Sequence, residues 1–387
     1  PIPIGLQTLV DAGLRARSHE ARRRFPETKE AAERALARLA RALPDDANPN
    51  AALQNVDDVL LPFTLALATP SPTLPLLALN AVQRLISHGA VAPARLPAVA
   101  SQLIARAQSA AATDEMLLKI LQTVLTIASS PRLLHTDTVV AQLLQLCLGL
   151  QQSKTPVIKS TAAATVHQFV SLLLDTASAA AVAAFEPAAA ATTTAADGVS
   201  DAVKAPTTTR SNASAAAGTP SKLAASAPEL AHLSVAARCA FLSIQDLCLF
   251  AQHESAHWLH GAGSVGAPFA LEVLQRSLEN HVALLGASPP FTGLLCERVA
   301  PLALRTMQLA STSRDTSEWS VALRLSHLTT TLLAGYAPLL VTETEILLLS
   351  LTRVLEAEAT PVWRRALVLA TFRVVLQSPA LVGPVYE

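Results

Sequence analysis

Leu117-Leu118-Lys119-Ile120-Leu121-Gln122-Thr123-Val124-Leu125-Thr126-Ile127-Ala128-Ser129-Ser130-Pro131 decides the fold class. Leu117, Ile120, Leu121, Val124 and Leu125 recur at the i, i+3, i+4, i+7 spacing that puts apolar side chains on one face of an α-helix. Ser129-Ser130-Pro131 ends the run, because a proline pushes the residue before it out of the helical region. Near the other end, Leu347, Leu348, Leu351, Val354 and Leu355 repeat the pattern. Along the chain the same unit recurs: a helix of about 15–20 residues, a short break, then another helix.

The breaks fall near Pro44-Asp45-Asp46, Thr69-Pro70-Ser71-Pro72, Ser87-His88-Gly89, Ser129-Ser130-Pro131 and Ser153-Lys154-Thr155-Pro156. They resume near His260-Gly261, Ala287-Ser288-Pro289-Pro290, Gly335 and Thr360-Pro361. Helix pairs of about 40 residues, apolar on two faces, predict a HEAT/armadillo-like α-solenoid. Composition agrees, with 51% hydrophobic residues but only 4% aromatic. Alanine and leucine, which favour helices, supply most of that apolar content. Period-two alternation is rare, so the reading is all-α.

One segment breaks the pattern. Residues 176–232 are mostly Ala, Thr, Ser and Pro, as in Ala188-Ala189-Ala190-Ala191-Thr192-Thr193-Thr194. Such a stretch buries too little apolar surface to offset its ordering entropy, so it is expected to be a disordered linker. A flexible chain of that length spans roughly 40 Å root-mean-square. The domain expectation is therefore two packed helical halves, 1–175 and 233–387.

Lys+Arg and Asp+Glu both number 29, which gives no clustered positive field for nucleic acid. Cys147, Cys239, Cys248 and Cys296 have no metal or redox spacing and sit among apolar residues. They read as reduced, buried hydrophobes, which suits the cytosol. Mean hydropathy is +0.38. However, the charge-free run from Val59 to Gln83 contains four prolines, and Leu325–Thr342 carries Gly335 and Pro338. Both read as paired buried helices, and the expectation is no transmembrane span and no N-terminal targeting signal.

One motif looks catalytic. His253-Glu254-Ser255-Ala256-His257 matches H-E-x-x-H, which on a helix puts two imidazoles on one face for zinc, with the glutamate as general base. Glu279 lies at a distance that suits a third ligand, while His260 stands where the longer metzincin motif needs glycine. A zinc metallohydrolase using His253, His257 and Glu279 is therefore the alternative function. The plainer reading is a polar helix end running into Gly261-Ala262-Gly263. No phosphate loop and no G-x-S-x-G occurs. The expectation is a non-enzymatic chain with no cofactor.

Arg15, Arg17, Arg22, Arg23 and Arg24 form the densest basic cluster. It reads either as a solvated helix face or as a contact for an acidic partner or anionic lipid. Arg22, Arg23, Arg24 and Lys29 are candidate contacts, as are Arg84 and His88 at the end of the Gln83–His88 helix. For the last two, capping and solvation are the simpler roles.

Several stretches in order carry a family resemblance. Arg22-Arg23-Arg24-Phe25-Pro26-Glu27-Thr28-Lys29-Glu30-Ala31-Ala32-Glu33, Gln83-Arg84-Leu85-Ile86-Ser87-His88, Leu121 to Leu125 and Thr161 to Gln168 precede the linker. Gln245-Asp246-Leu247-Cys248, Trp258-Leu259, Glu297 to Leu302, Leu339 to Ile346 and Trp363-Arg364-Arg365-Ala366 follow it. Together they resemble the N-terminal region of the Mon-two family, relatives of the BIG/GBF Arf exchange factors that lack the exchange domain. The resemblance implies a DCB domain over 1–175 and the start of a HUS domain over 233–387. It further implies a scaffold on Golgi and endosomal membranes, self-association, and partners that include an Arf-like GTPase of the Arl-one type, a Dopey-type protein and anionic lipids. The histidines of the H-E-x-x-H match are not part of that family pattern.

Overall fold

The computed structural model describes residues 25–42, 57–71, 73–130, 136–192, 230, 232–263, 265–309, 319–358 and 360–377. Among them every regular element is helical. The first half contains α1 (Pro26–Ala42), α2 (Asp57–Ala68), α3 (Leu74–Ser87), α4 (Leu96–Gln108), α5 (Asp114–Ala128), α6 (Asp137–Leu150) and α7 (Pro156–Thr192). The second contains α8 (Val235–Ala251), α9 (Ala267–Asn280), α10 (Val282–Ala287), α11 (Pro289–Leu294), α12 (Ala300–Leu309), α13 (Trp319–Tyr336), α14 (Val341–Glu356) and α15 (Val362–Leu376).

The prolines that punctuate the sequence mostly start helices rather than merely ending them. Pro75, Pro97, Pro268 and Pro289 occupy first-turn positions, where a missing N–H leaves no bond unmade. The break at 109–113 has neither glycine nor proline. There Thr113 caps α5 by accepting from the Met116 N–H at 3.3 Å, with Asp114 and Glu115 favouring the positive helix end. Pro301 lies inside a helical rod that runs from α11 into α12. It cannot donate to the Glu297 carbonyl, and the rod takes a π turn over Leu295–Val299, with the Ala300 N–H reaching back to the Leu295 carbonyl.

Helices stack in two layers, each touching the next-but-one helix of the chain, as in a solenoid. In one layer α3, α5, α7, α9, α13 and α15 follow each other. In the other, α2, α4, α6 and α8 do, and α12 contacts α14 further on. The stacking passes without interruption from the first half to the second, through α7 against α9 and α6 against α8. One hydrophobic cluster accordingly runs from Ala32 to Val375.

α7 is the central beam. It continues past residue 176, where composition places the start of the linker, because alanine-rich sequence retains helix propensity. Its stretch Pro156–Val182 is long and apolar enough to cross a membrane by length and composition. Yet Ile158, Ala162, Val166, Phe169, Val170, Leu173, Leu174 and Ala177 are buried against neighbouring helices. That burial accounts for its hydropathy as a helix sandwiched between two others. Residues 193–229 lie outside the described residues.

Candidate functional site

The H-E-x-x-H match does not form a metal centre. α8 ends at Ala251, before the first histidine. His253 adopts φ +60°, the left-handed conformation that closes a helix. Its N–H donates to the Phe250 carbonyl at 3.1 Å, and the Glu254 N–H donates to the Leu249 carbonyl at 2.9 Å. This is a Schellman cap, in which reversed backbone bonds satisfy the last helical carbonyls. Without helix over 253–257 the two imidazoles do not share a face, and the zinc reading of His253, His257 and Glu279 fails. Glu279 instead accepts from Gln275 Nε2 at 2.8 Å and Thr331 Oγ1 at 3.1 Å. Among the described residues no group of three His, Cys, Asp or Glu side chains is placed to hold a metal. Because left-handed φ strains any residue with a Cβ, His253→Gly is expected to stabilise the fold by about 0.5–1 kcal/mol. A thermal melt checks the sign, since a ligand substitution would instead lower stability.

What the loop after α8 does is join the halves. Asp246, buried on the largely apolar α8, accepts three backbone N–H bonds. They come from His257 at 3.0 Å, Trp258 at 2.9 Å and Leu259 at 2.7 Å. The loop held this way offers the Ala262 carbonyl to Gln152 Nε2 at 2.9 Å and the Trp258 carbonyl to Gln145 Nε2 at 3.5 Å. Gln145 belongs to α6, and Gln152 follows its C-terminal end. Gly263, at φ +69°, lies so close that a Cβ there would meet Gln152 Nε2 at 2.8 Å.

Polar and charged pairs line the same seam. Arg238 on α8 grips Asp137 on α6 with two bonds, Nε to Oδ2 at 2.5 Å and Nη2 to Oδ1 at 2.9 Å. Buried His281 puts Nε2 3.0 Å from Asp175 Oδ1, midway along α7. On the α7–α9–α13 face, Glu272 gathers Arg276 at 3.1 Å, Arg324 at 3.0 Å and His167 Nε2 at 3.7 Å. Burial and Arg276 hold the His167 imidazole below its usual range, with Glu272 opposing them and Arg324 adding to them. His167 also stands edge-on to Phe269, its ring centroid 5.5 Å away. Cys147, Cys239 and Cys248 are buried, and Cys296 is half-buried. Burial pushes the Cys147 and Cys248 thiols up to about 12 and Cys239 up as well.

Of the candidate contact residues, Lys29, Arg84 and His88 fall among the described residues. Arg22, Arg23 and Arg24 lie outside the described residues. Lys29 is half-buried on α1, with Nζ 3.7 Å from Glu33 Oε1. Arg84 and His88 are exposed at the end of α3. There the His88 N–H donates to the Arg84 carbonyl, and Gly89 at φ +67° makes a second Schellman cap. Sequence reading missed the seam pairs, although a lone aspartate inside the apolar α8 was a usable signal.

The outer end of the first layer carries a groove of about 610 Å³ between α9, α13 and α15. Gln275 and Glu279 stand on one side, Ala370 and Val374 on the other, and the small residues Thr330 and Ala334 line its base.

Comparison with known families gives two matches in one order. The profile for the Mon2/Sec7/BIG1-like dimerisation and cyclophilin-binding (DCB) domain matches residues 4–181. The profile for the Mon2/Sec7/BIG1-like HUS domain matches residues 236–387. The chain belongs to the Mon2/Sec7/BIG1-like family. Among relatives, the human Protein MON2 homolog is 28% identical over 370 residues, covering 92% of this chain and 20% of its own length. The Xenopus laevis homolog is 27% identical over 395 residues, covering 98% and 21%. The Drosophila melanogaster homolog is 27% identical over 388 residues, covering 97% and 21%. The chain thus spans about a fifth of the length of the curated relatives it matches. In family terms, the seam that Asp246, Arg238 and His281 build joins the DCB and HUS domains.

Proposed function

We propose that this chain is a non-catalytic DCB–HUS scaffold in Golgi and endosome vesicle trafficking. In this reading it binds an Arf-like GTPase of the Arl-one type, a Dopey-type protein and anionic membrane through helical surfaces. The observation that carries it is the ordered pair of family matches on one helical stack, 4–181 followed by 236–387. The family description names the first domain for dimerisation, which supports self-association. Extended helical stacks offer long, concave surfaces for binding partners. The domain limits 1–175 and 233–387 belong to this reading, as does a peripheral place on trans-Golgi and endosomal membranes.

Contacts are assigned to Arg22, Arg23, Arg24, Lys29, Arg84 and His88, with the arginine run contributing most. Anionic lipid attracts each nearby cation by about 1 kcal/mol, so reversing three arginines to glutamate is expected to weaken liposome binding about tenfold or more. Flotation with anionic liposomes reads this, and thermal melting confirms the fold. In parallel, purified protein is expected to retain an Arl-one-type GTPase loaded with a non-hydrolysable GTP analogue and not the GDP form. Equal retention of both forms, with liposome binding unmoved by the arginine change, removes the reading.

A further inference from the structure

We propose that the DCB–HUS seam carries a proton-dependent latch: His281 grips Asp175 when its imidazole bears two protons and loosens when one is lost. The proposal goes beyond the trafficking reading and does not rest on it. It starts from the two atoms that face the ring. Nδ1 lies 3.1 Å from the Ser277 carbonyl oxygen, and Nε2 lies 3.0 Å from Asp175 Oδ1. A carbonyl and a carboxylate both accept and neither donates. A neutral imidazole has one N–H, so it serves one of these oxygens and turns a lone pair on the other. The imidazolium donates to both at once, and its bond to the carboxylate is charge-assisted. The His281 side chain is 5% exposed, so a nitrogen left facing an oxygen has little recourse to solvent.

The position of His281 gives this proton leverage. It is the single residue between α9 and α10. Through Nδ1 it caps one of the last carbonyls of α9, where a cation also meets the negative end of the helix dipole. Through Nε2 it reaches across the seam to α7, and α10 packs on both α7 and α13. One protonation therefore acts on the end of α9 and on the hold of the HUS domain on the central beam.

The charges on the surrounding helices are engaged with other groups. Arg276 on α9 and Arg324 on α13 pair with Glu272. Glu279 accepts from Gln275 and Thr331, with exposed His327 of α13 in the same groove. On α8, Arg238 is taken up by Asp137, and Asp246 by the loop N–H groups. α10 and α11 have no ionisable side chain. His167, about two turns before Asp175 on α7, responds with the opposite sign. Burial and Arg276 hold it below its usual range, so acid protonates it at the expense of the fold. The latch contributes stability at low pH, where the His281 ring holds both protons, and loses it as pH rises through the histidine range.

Asp175→Asn separates the latch from His167. An amide oxygen accepts from Nε2–H, and the same amide turned over donates to a bare Nε2, so asparagine serves both forms of the ring. Hydrogen–deuterium exchange of the whole chain reads the seam in peptides covering 166–178 and 277–287, after correction for intrinsic exchange rates. From about pH 6 to about pH 8, protection there is expected to fall about fivefold more in the parent than in Asp175→Asn. The 62% exposure of Asp175 keeps that figure modest. Nitrogen-15 NMR of histidine-labelled protein reads the ring itself, with the His281 signals assigned by their absence from His281→Gln. His281 is expected to keep its second proton to higher pH in the parent than in Asp175→Asn. The same pH response of protection in both proteins, or a ring that titrates alike in both, overturns the latch and leaves His281 as a structural cap.

Discussion

Asp246→Ala is expected to lower stability by about 3–4 kcal/mol, roughly 4–6 °C in melting temperature for a fold of this size. The estimate follows from the donors left behind. The His257 N–H belongs to an exposed residue and can turn to water. The N–H of buried Leu259 cannot, and that of half-buried Trp258 only in part. Each orphaned buried donor costs about 1–3 kcal/mol, and a carboxylate acceptor raises the bond's worth above that of a neutral one. Removing a buried charge returns some desolvation energy, which keeps the estimate below the sum of three full bonds. Asp246→Asn keeps one oxygen but points an NH₂ at an N–H, and is expected to cost about half as much. The loop released by either change carries the Trp258 and Ala262 carbonyls that Gln145 and Gln152 hold. Cleavage within 253–263 is therefore expected to accelerate in limited proteolysis. A melting temperature and proteolysis pattern like the parent's would show that the loop docks without this aspartate.

The helices could be read from the sequence because leucine spacing and proline placement are local signals. The Leu117–Leu125 stripe maps onto α5, where Ile120, Leu121 and Val124 are fully buried. The 109–113 break was not legible, since it depends on one threonine hydroxyl rather than on a glycine or proline. The π turn at Leu295–Val299 was not legible either: Pro301 announces a missing bond but not how the backbone absorbs it. The H-E-x-x-H motif misled for a related reason. Its spacing has meaning only on a helix, and whether α8 continues through His253 is set by two backbone bonds and a left-handed φ. Asp246 and Arg238 were visible as charges inside an apolar helix, but their partners lie elsewhere in the chain. Asp137 is 101 positions from Arg238, and periodicity carries no information about such pairs. The α9–α13–α15 groove is a long-range product in the same sense, because it joins residues from 275 to 374.

Phe169→Ala decides whether the two domains are separate folding units. Phe169 is fully buried on α7, and truncating a buried phenylalanine costs about 3–5 kcal/mol in lost transfer energy and cavity. α7 packs against α5 and α6 on one side of the seam and against α8 and α9 on the other. If the single hydrophobic cluster unfolds as one unit, a cavity placed in the DCB region must destabilise the HUS region equally. The three tryptophans make this measurable: Trp258, Trp319 and Trp363 all lie in the second half, so their fluorescence reports that half alone. Far-UV circular dichroism reports both. The expected result is a single transition in which both signals fall together, about 4–7 °C lower than in the parent. If fluorescence instead held its midpoint while the circular dichroism split into two steps, the seam would be a contact between independent domains. Arg238, Asp137, His281 and Asp175 would then hold two separate cores in place. The uninterrupted stacking of α7 on α9 argues for one core, because the face of α7 that the HUS helices cover would otherwise stand open to water.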